Sequence, residues 1–200
     1  MGQYRGGNEK FYSGSGSHKP EIIQPYIDLL IKLIAFNDIR RIVDVGCGDF
    51  WIMRQVLGFF NQNKYKYFYH GIDVVSELIE HNSQNFGNDN VKFTCADASK
   101  DDVELPDGDL LIIRQVLQHL CNSDVKKILR KTGDFKYLLI TEHIFEGENT
   151  IPNLDKQSIK AMRGGSGIFL EHAPFNYKNI IHLLKVFQGG GMIRTSLIIQ

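Results

Sequence analysis

Residues 43–50 read Val-Asp-Val-Gly-Cys-Gly-Asp-Phe, and this octapeptide constrains the fold more than any other part of the chain. An apolar strand, Arg41 to Val45, runs into a turn with two glycines and then into a segment that can be helical, Phe50 to Phe60. Glycine at 46 and 48 lets the backbone turn sharply and approach a ligand where a Cβ would collide. The free N–H groups of the following helix face the same crevice. Such a strand, turn and helix open a βαβ unit with a nucleotide-type cofactor at its turn.

The rest of the chain keeps the alternation. Strands are expected near 41–46, 66–73, 91–95, 108–114, 136–142 and 191–199, and helices near 50–59, 75–86, 122–131 and 176–187. Alternating β and α runs predict an α/β fold with a doubly wound, mostly parallel sheet. A further helix over 20–36 starts on Pro20 and carries one apolar stripe at 22, 23, 26, 27, 30, 31 and 34. Two hundred residues, 42% of them hydrophobic, suit a single domain. Within it, residues 1–19 form either a flexible tail or a lid: Ser13 to Ser17 alternate with glycine, yet Tyr4, Phe11 and Tyr12 flank them.

The glycine turn departs from a dinucleotide fingerprint, whose third glycine packs the helix close over a pyrophosphate. Trp51 fills that place, and Asp49 would repel phosphate and attract a cation. S-adenosylmethionine, without phosphate and with an ammonium and a sulfonium, fits better. In an open α/β sheet the strand ends line the ligand site. Asp73 ends the second strand, where a carboxylate can take both ribose hydroxyls. Asp97, with Ala98, follows the third, where a carboxylate and an N–H can meet adenine.

In these residues the chain resembles the class I S-adenosylmethionine-dependent methyltransferases. Val43 to Gly48 looks like their first motif, Gly71-Ile72-Asp73-Val74 like the ribose-binding strand end, Thr94 to Ala98 like the adenine segment, and Asp109 to Leu120 like the fourth strand with its following helix. The resemblance implies a Rossmann-like, three-layer α/β/α fold with an antiparallel last strand, its sixth strand short, near Ile168 to Leu170, or absent. It implies that Asp44, Gly46, Cys47 and Gly48 hold the methionine part, Asp73 and Val74 the ribose, and Asp97 with Ala98 the adenine. Arg114 and Gln115 would line the cofactor and the acceptor site, and S-adenosylhomocysteine would be the product. Relatives often carry an acid where this chain has Gln115, and an amide cannot take a proton.

Methyl transfer requires alignment of donor and acceptor and, for an alcohol, removal of a proton. His119, Glu142 and His143 follow the fourth and fifth strands and are the candidate bases, with Glu171 and His172 further on. The irregular stretch 145–177, including Arg163 and Gly164, is the expected acceptor side. Neither H-x-x-x-H nor H-E-x-x-H occurs, so no metal is expected.

Lys plus Arg equals Asp plus Glu at 23 each, giving no bulk charge for nucleic acid or an anionic membrane. No apolar run approaches the roughly 18 residues of a membrane span. The polar N-terminus and three cysteines without a C-x-x-C pair suit a cytoplasmic protein. The expected activity is methylation of a small molecule, at oxygen. The Gly16-Ser17-His18 segment and the Pro174-Phe175-Asn176 loop look similar to those of bacterial methyltransferases of unassigned substrate, some near sugar or surface-polymer pathways, so a precursor of that kind is one candidate acceptor. Two rivals share the fold: an NAD-dependent oxidoreductase, and a catalytically silent cofactor-binding module, for which Gln115 is the motive.

Overall fold

The computed structural model of the protein describes residues 11–155 and 165–200. Tyr4, Arg163 and Gly164, with the first half of the expected lid, lie outside them. The chain divides into two compact units, Met1–Ala96 and Asp97–Gln200.

In the first unit, helix α1 (Pro20–Phe36) buries Ile22, Ile23, Tyr26, Ile27, Leu30, Leu33 and Ile34. Leu33 takes the buried place that the stripe assigned to Ile31, because the i, i+3, i+4, i+7 series from Tyr26 runs through 30 and 33. Pro20 opens the helix, where its missing N–H costs nothing. The Asn37 side chain closes it by donating to the Leu33 carbonyl at 2.8 Å. Then come β1 (Arg41–Val45), α2 (Trp51–Gln62), β2 (Phe68–Asp73), α3 (Ser76–Phe86) and β3 (Val91–Cys95). The strands pair in parallel, Val45 opposite Ile72 and Asp73 opposite Cys95, so the loop after β1 and the end of β2 meet at one edge.

The second unit contains β4 (Leu110–Arg114), α4 (Asn122–Arg130), β5 (Tyr137–Ile144), β6 (Ile180–Gln188) and β7 (Gly191–Ile199). β4 and β5 are parallel; β7 runs antiparallel to β5 and to β6. The mostly parallel α/β fold with an antiparallel end agrees with expectation. The helix expected over 176–187 does not form: this segment is β6, the missing partner of the final hairpin. The Ile168 to Leu170 alternative also fails, since these residues are buried but form no strand. Apolar residues at 180, 181, 183, 184 and 187 satisfy a helical spacing as well as a strand, and the turn decides. Gly189 and Gly190 have φ of 56° and 76°, the pair of positive values that a two-residue hairpin of right-handed twist demands. β6 carries one extra residue, Leu183, where its register against β7 slips between His182 and Leu184.

Candidate functional site

The glycine loop of the first unit hangs on β2. The N–H groups of Gly46 and Cys47 both donate to the Ile72 carbonyl, at 2.7 and 3.1 Å. Gly46 and Gly48 sit at φ 77° and 55°, conformations for which glycine carries no steric penalty. Gly71 is required from the other side: a Cβ there would stand 2.9 Å from the Cys47 sulfur and 2.9 Å from the Phe93 ring. Asp73 reaches back from the end of β2. Its Oδ2 accepts from Gly48 N at 3.1 Å and its Oδ1 from Val75 N at 3.1 Å. Asn82 of α3, fully buried, donates to the Gly48 carbonyl at 2.8 Å. That support comes from 34 residues away and has no local signature.

Residues 11–19 lie over this loop. Ser13 and Asp49 exchange hydrogen bonds, Ser13 N to the carboxylate at 2.8 Å and Asp49 N to Ser13 Oγ at 2.8 Å. His18 Nε2 stands 2.6 Å from Asp49 Oδ2, and its ring stacks on Trp51 with centroids 5.4 Å apart. Asp49, expected to draw a cationic ligand, thus spends its carboxylate on His18, Ser13 and the N–H of Trp51. Gly48 has a second reason to be glycine, since a Cβ would meet the Ser13 hydroxyl.

The electrostatics of the loop are negative. Asp44 is buried and accepts from the Tyr69 hydroxyl at 2.9 Å, so it shapes the field from within. Burial, followed by the charges of Asp44 and Asp73 and, more weakly, Asp49, pushes the Cys47 thiol well above its usual range. Burial and Asp44 do the same to the Tyr69 phenol. Both groups are therefore neutral in the fold at pH 7. Because both values are raised, the associated stability is complete below the unfolded-state values, about 8.5 for a thiol and 10 for a phenol, and is lost as pH rises through the folded ones. The melting temperature should accordingly fall on the alkaline side, and less steeply in Cys47→Ala. An identical alkaline fall in the variant would assign the loss to other groups.

In the second unit Asp97 forms a turn of its own, Oδ1 accepting from Ser99 N at 2.9 Å and Ser99 Oγ at 2.6 Å. Ala98 is buried beside it. At the end of β4, after half-buried Arg114, Gln115 has φ 55° while its N–H donates to the Thr141 carbonyl at 2.7 Å. A left-handed residue other than glycine or asparagine stores on the order of 1 kcal/mol or more, and such strain clusters at functional sites. Gln115→Gly should therefore raise the melting temperature by about 2–4 °C and lower activity. A less stable variant would show that the side chain, not the backbone, governs this position.

The three candidate bases differ sharply. Glu142 is 2% exposed; its carboxylate accepts from the N–H groups of Val116, Leu117 and Gln118 at 3.2, 2.9 and 2.9 Å. It caps the turn Leu117–His119 and holds no oxygen out to an acceptor. His143 Nε2 lies 2.8 Å from the Gln188 carbonyl, which can only accept, so this nitrogen bears the proton. His119 is exposed, and its Nε2 stands 3.3 Å from the Gln118 amide nitrogen. Gln118, buried and overlooked in the sequence, also accepts from His143 N at 2.7 Å. Glu171 is paired to Arg194 at 2.9 Å. Among the described residues no group of three or more His, Cys, Asp or Glu stands ready to share a metal ion, and no helix is long and apolar enough to cross a membrane.

Residues 42–134, from β1 through α4, match a family described as "Methyltransferase domain". This segment is similar to a methyltransferase domain. No curated protein sequence matches it. Among solved structures, the methyltransferase domain of bacterial CtHen1-CN aligns with a TM-score of 0.59 at 11% identity, over 88% of this chain and 98% of that one. An O-methyltransferase family protein from Burkholderia thailandensis aligns at 0.57 and 11%, over 90% and 57%. The O-methyltransferase of a Brevibacillus brevis polyketide synthase, solved with S-adenosylhomocysteine, aligns at 0.52 and 16%, over 75% and 50%. These likenesses establish a Rossmann-like fold of the kind methyltransferases use. Of several other solved chains that it matches, this chain spans 35% to 54% of the length.

Proposed function

We propose that this protein is a methyltransferase that binds S-adenosylmethionine on the glycine loop and transfers its methyl group to an oxygen of a small molecule, releasing S-adenosylhomocysteine. The carrying observation is the sign of the loop. Asp44, Asp49 and Asp73 all act on Cys47 with negative charge, and the Gly48 N–H that a pyrophosphate would seek is already given to Asp73. A dinucleotide would meet repulsion there, whereas a sulfonium and an ammonium meet attraction. Cys47, neutral and half-buried, supplies shape and no nucleophile. In this reading Asp73 and Val74 meet the ribose, Asp97 and Ala98 the adenine, and Arg114 and Gln115 the methionine end and the acceptor.

His119 is the general base in this reading: Glu142 is buried under three N–H groups and His143 Nε2 is held by the hairpin turn, whereas the His119 imidazole is exposed, its one long contact being Nε2 at 3.3 Å from the Gln118 amide nitrogen among the hydrogen bonds described above. The neutral net charge of the chain favours a small acceptor over a polyanion. A sugar or surface-polymer precursor is one candidate acceptor, on the resemblance alone.

Calorimetric titration with S-adenosylhomocysteine and, separately, with NAD tests the cofactor. Micromolar binding of the first and none of the second is expected; the reverse would make the protein an oxidoreductase. His119→Ala should keep the affinity for S-adenosylhomocysteine and lower turnover by about 10²- to 10⁴-fold. Unchanged turnover would remove His119 from the chemistry.

A further inference from the structure

Lys131, the residue after α4, makes no ion pair among the described residues. Its ammonium donates instead to three backbone carbonyls of one loop: Ala98 at 2.9 Å, Val103 at 2.7 Å, and Lys100. An ammonium has three protons at tetrahedral angles, and here each has its own acceptor. The loop that receives them begins at Asp97. On its other side the Asp97 carboxylate holds Ser99 N and Oγ, Lys100 N donates to the Asp97 carbonyl at 3.0 Å, and Val103 N to the Lys100 carbonyl at 3.2 Å. Ala98 and Ser99 are buried. The segment 97–103 is thus folded around one cation 28 to 33 residues away.

We propose that Lys131 is a positioning residue for base recognition: it fixes the 97–103 loop so that Asp97 and Ala98 present one acceptor and one donor in the spacing of an adenine edge. The proposal rests on the cofactor reading above. Asp97 Oδ1 is committed to Ser99, so which way Oδ2 points is set by the loop backbone and not by the free rotation of the side chain. That backbone contains three carbonyl dipoles that converge and repel one another unless a cation stands between them. With Lys131 the convergence is favourable; without it the loop must open to let water reach those oxygens, and Asp97 turns with it. The Lys131 cation neutralises carbonyl dipoles rather than the Asp97 carboxylate, whose Oδ2 has only the exposed Lys100 ammonium near it, at 3.9 Å, a partner that water screens and a ligand can displace.

The test compares S-adenosylhomocysteine with S-inosylhomocysteine, which replaces the exocyclic amino group of the base by a carbonyl oxygen. A site that accepts from that amino group should reject the analogue by about 100-fold in the wild-type protein. In Lys131→Met the affinity for S-adenosylhomocysteine should fall about 10-fold, and the preference over the analogue should shrink to below about 10-fold. Loss of general stability would weaken both ligands equally and leave the preference intact, so a preserved wild-type preference in Lys131→Met overturns the proposal. If Lys131→Met does not fold, Lys131→Arg carries the test. Its planar fork cannot meet three converging carbonyls, and a reduced preference is expected, with a full one overturning the proposal. A wild-type protein that binds S-adenosylhomocysteine with no preference for the base overturns the proposal alone. A wild-type protein that binds neither ligand overturns the cofactor reading and the proposal with it.

Discussion

Asp73→Ala is expected to weaken binding of S-adenosylhomocysteine by about 1.5–3 kcal/mol, roughly 10- to 150-fold. A carboxylate at the end of β2 can take two charge-assisted hydrogen bonds from a ribose, and both vanish with it. The structure adds a second route to the same loss. Asp73 also receives Gly48 N and Val75 N, so it ties the glycine loop to the end of β2. The two routes separate in Asp73→Asn, whose side chain keeps one oxygen for the backbone but has no charge. Affinity near wild type in Asp73→Asn with loss in Asp73→Ala would assign the residue to loop shape. A folded Asp73→Ala protein with wild-type affinity would remove Asp73 from the cofactor site altogether.

Glu142→Ala should be the most damaging single change to stability, at about 3–5 kcal/mol and a fall in melting temperature on the order of 10 °C. Three N–H groups at Val116, Leu117 and Gln118 would lose their acceptor, and two of these bonds are fully buried. An unmade buried bond costs the desolvation of its donor, which exceeds the net worth of the bond when made. Glu142→Gln keeps one acceptor oxygen and turns an NH₂ toward donors, so an intermediate loss is expected. Thermal melting of the two variants, read beside turnover of whatever fraction stays folded, distinguishes scaffold from base. A stable Glu142→Ala protein without turnover would restore Glu142 to the chemistry.

What could be read from the sequence follows the range of the interactions. Helix α1, strand β3 and strand β7 have the expected bounds because their signals are local: a proline start with an apolar stripe, and β-branched runs between turns. β6 was misread because its apolar spacing fits both periods, and the deciding information lay just beyond it, in two glycines that only a hairpin uses at positive φ. At the site, the glycine loop and Asp73 were legible as a motif. The use of Asp49 by Ser13 and His18, of Glu142 by a turn 24 to 26 residues earlier, and of Lys131 by the loop after Asp97 were not. In each case a charged side chain satisfies a distant backbone or segment. Composition and spacing hold no record of such pairings.

The extra residue in β6 bears on how the protein behaves in a crowded solution. A terminal strand offers a row of unspent donors and acceptors, and side chains such as Ile181 and Phe187, 48% and 81% exposed, make it adhesive. Two regular edges of this kind would zip together and continue as a fibre. Leu183 breaks the repeat in the middle of the strand, and Lys185, held toward Glu146 at 3.6 Å, sets a charge two residues further along. A second molecule can match the row for only a few residues on either side of the kink. The irregularity keeps a sticky margin from becoming a template.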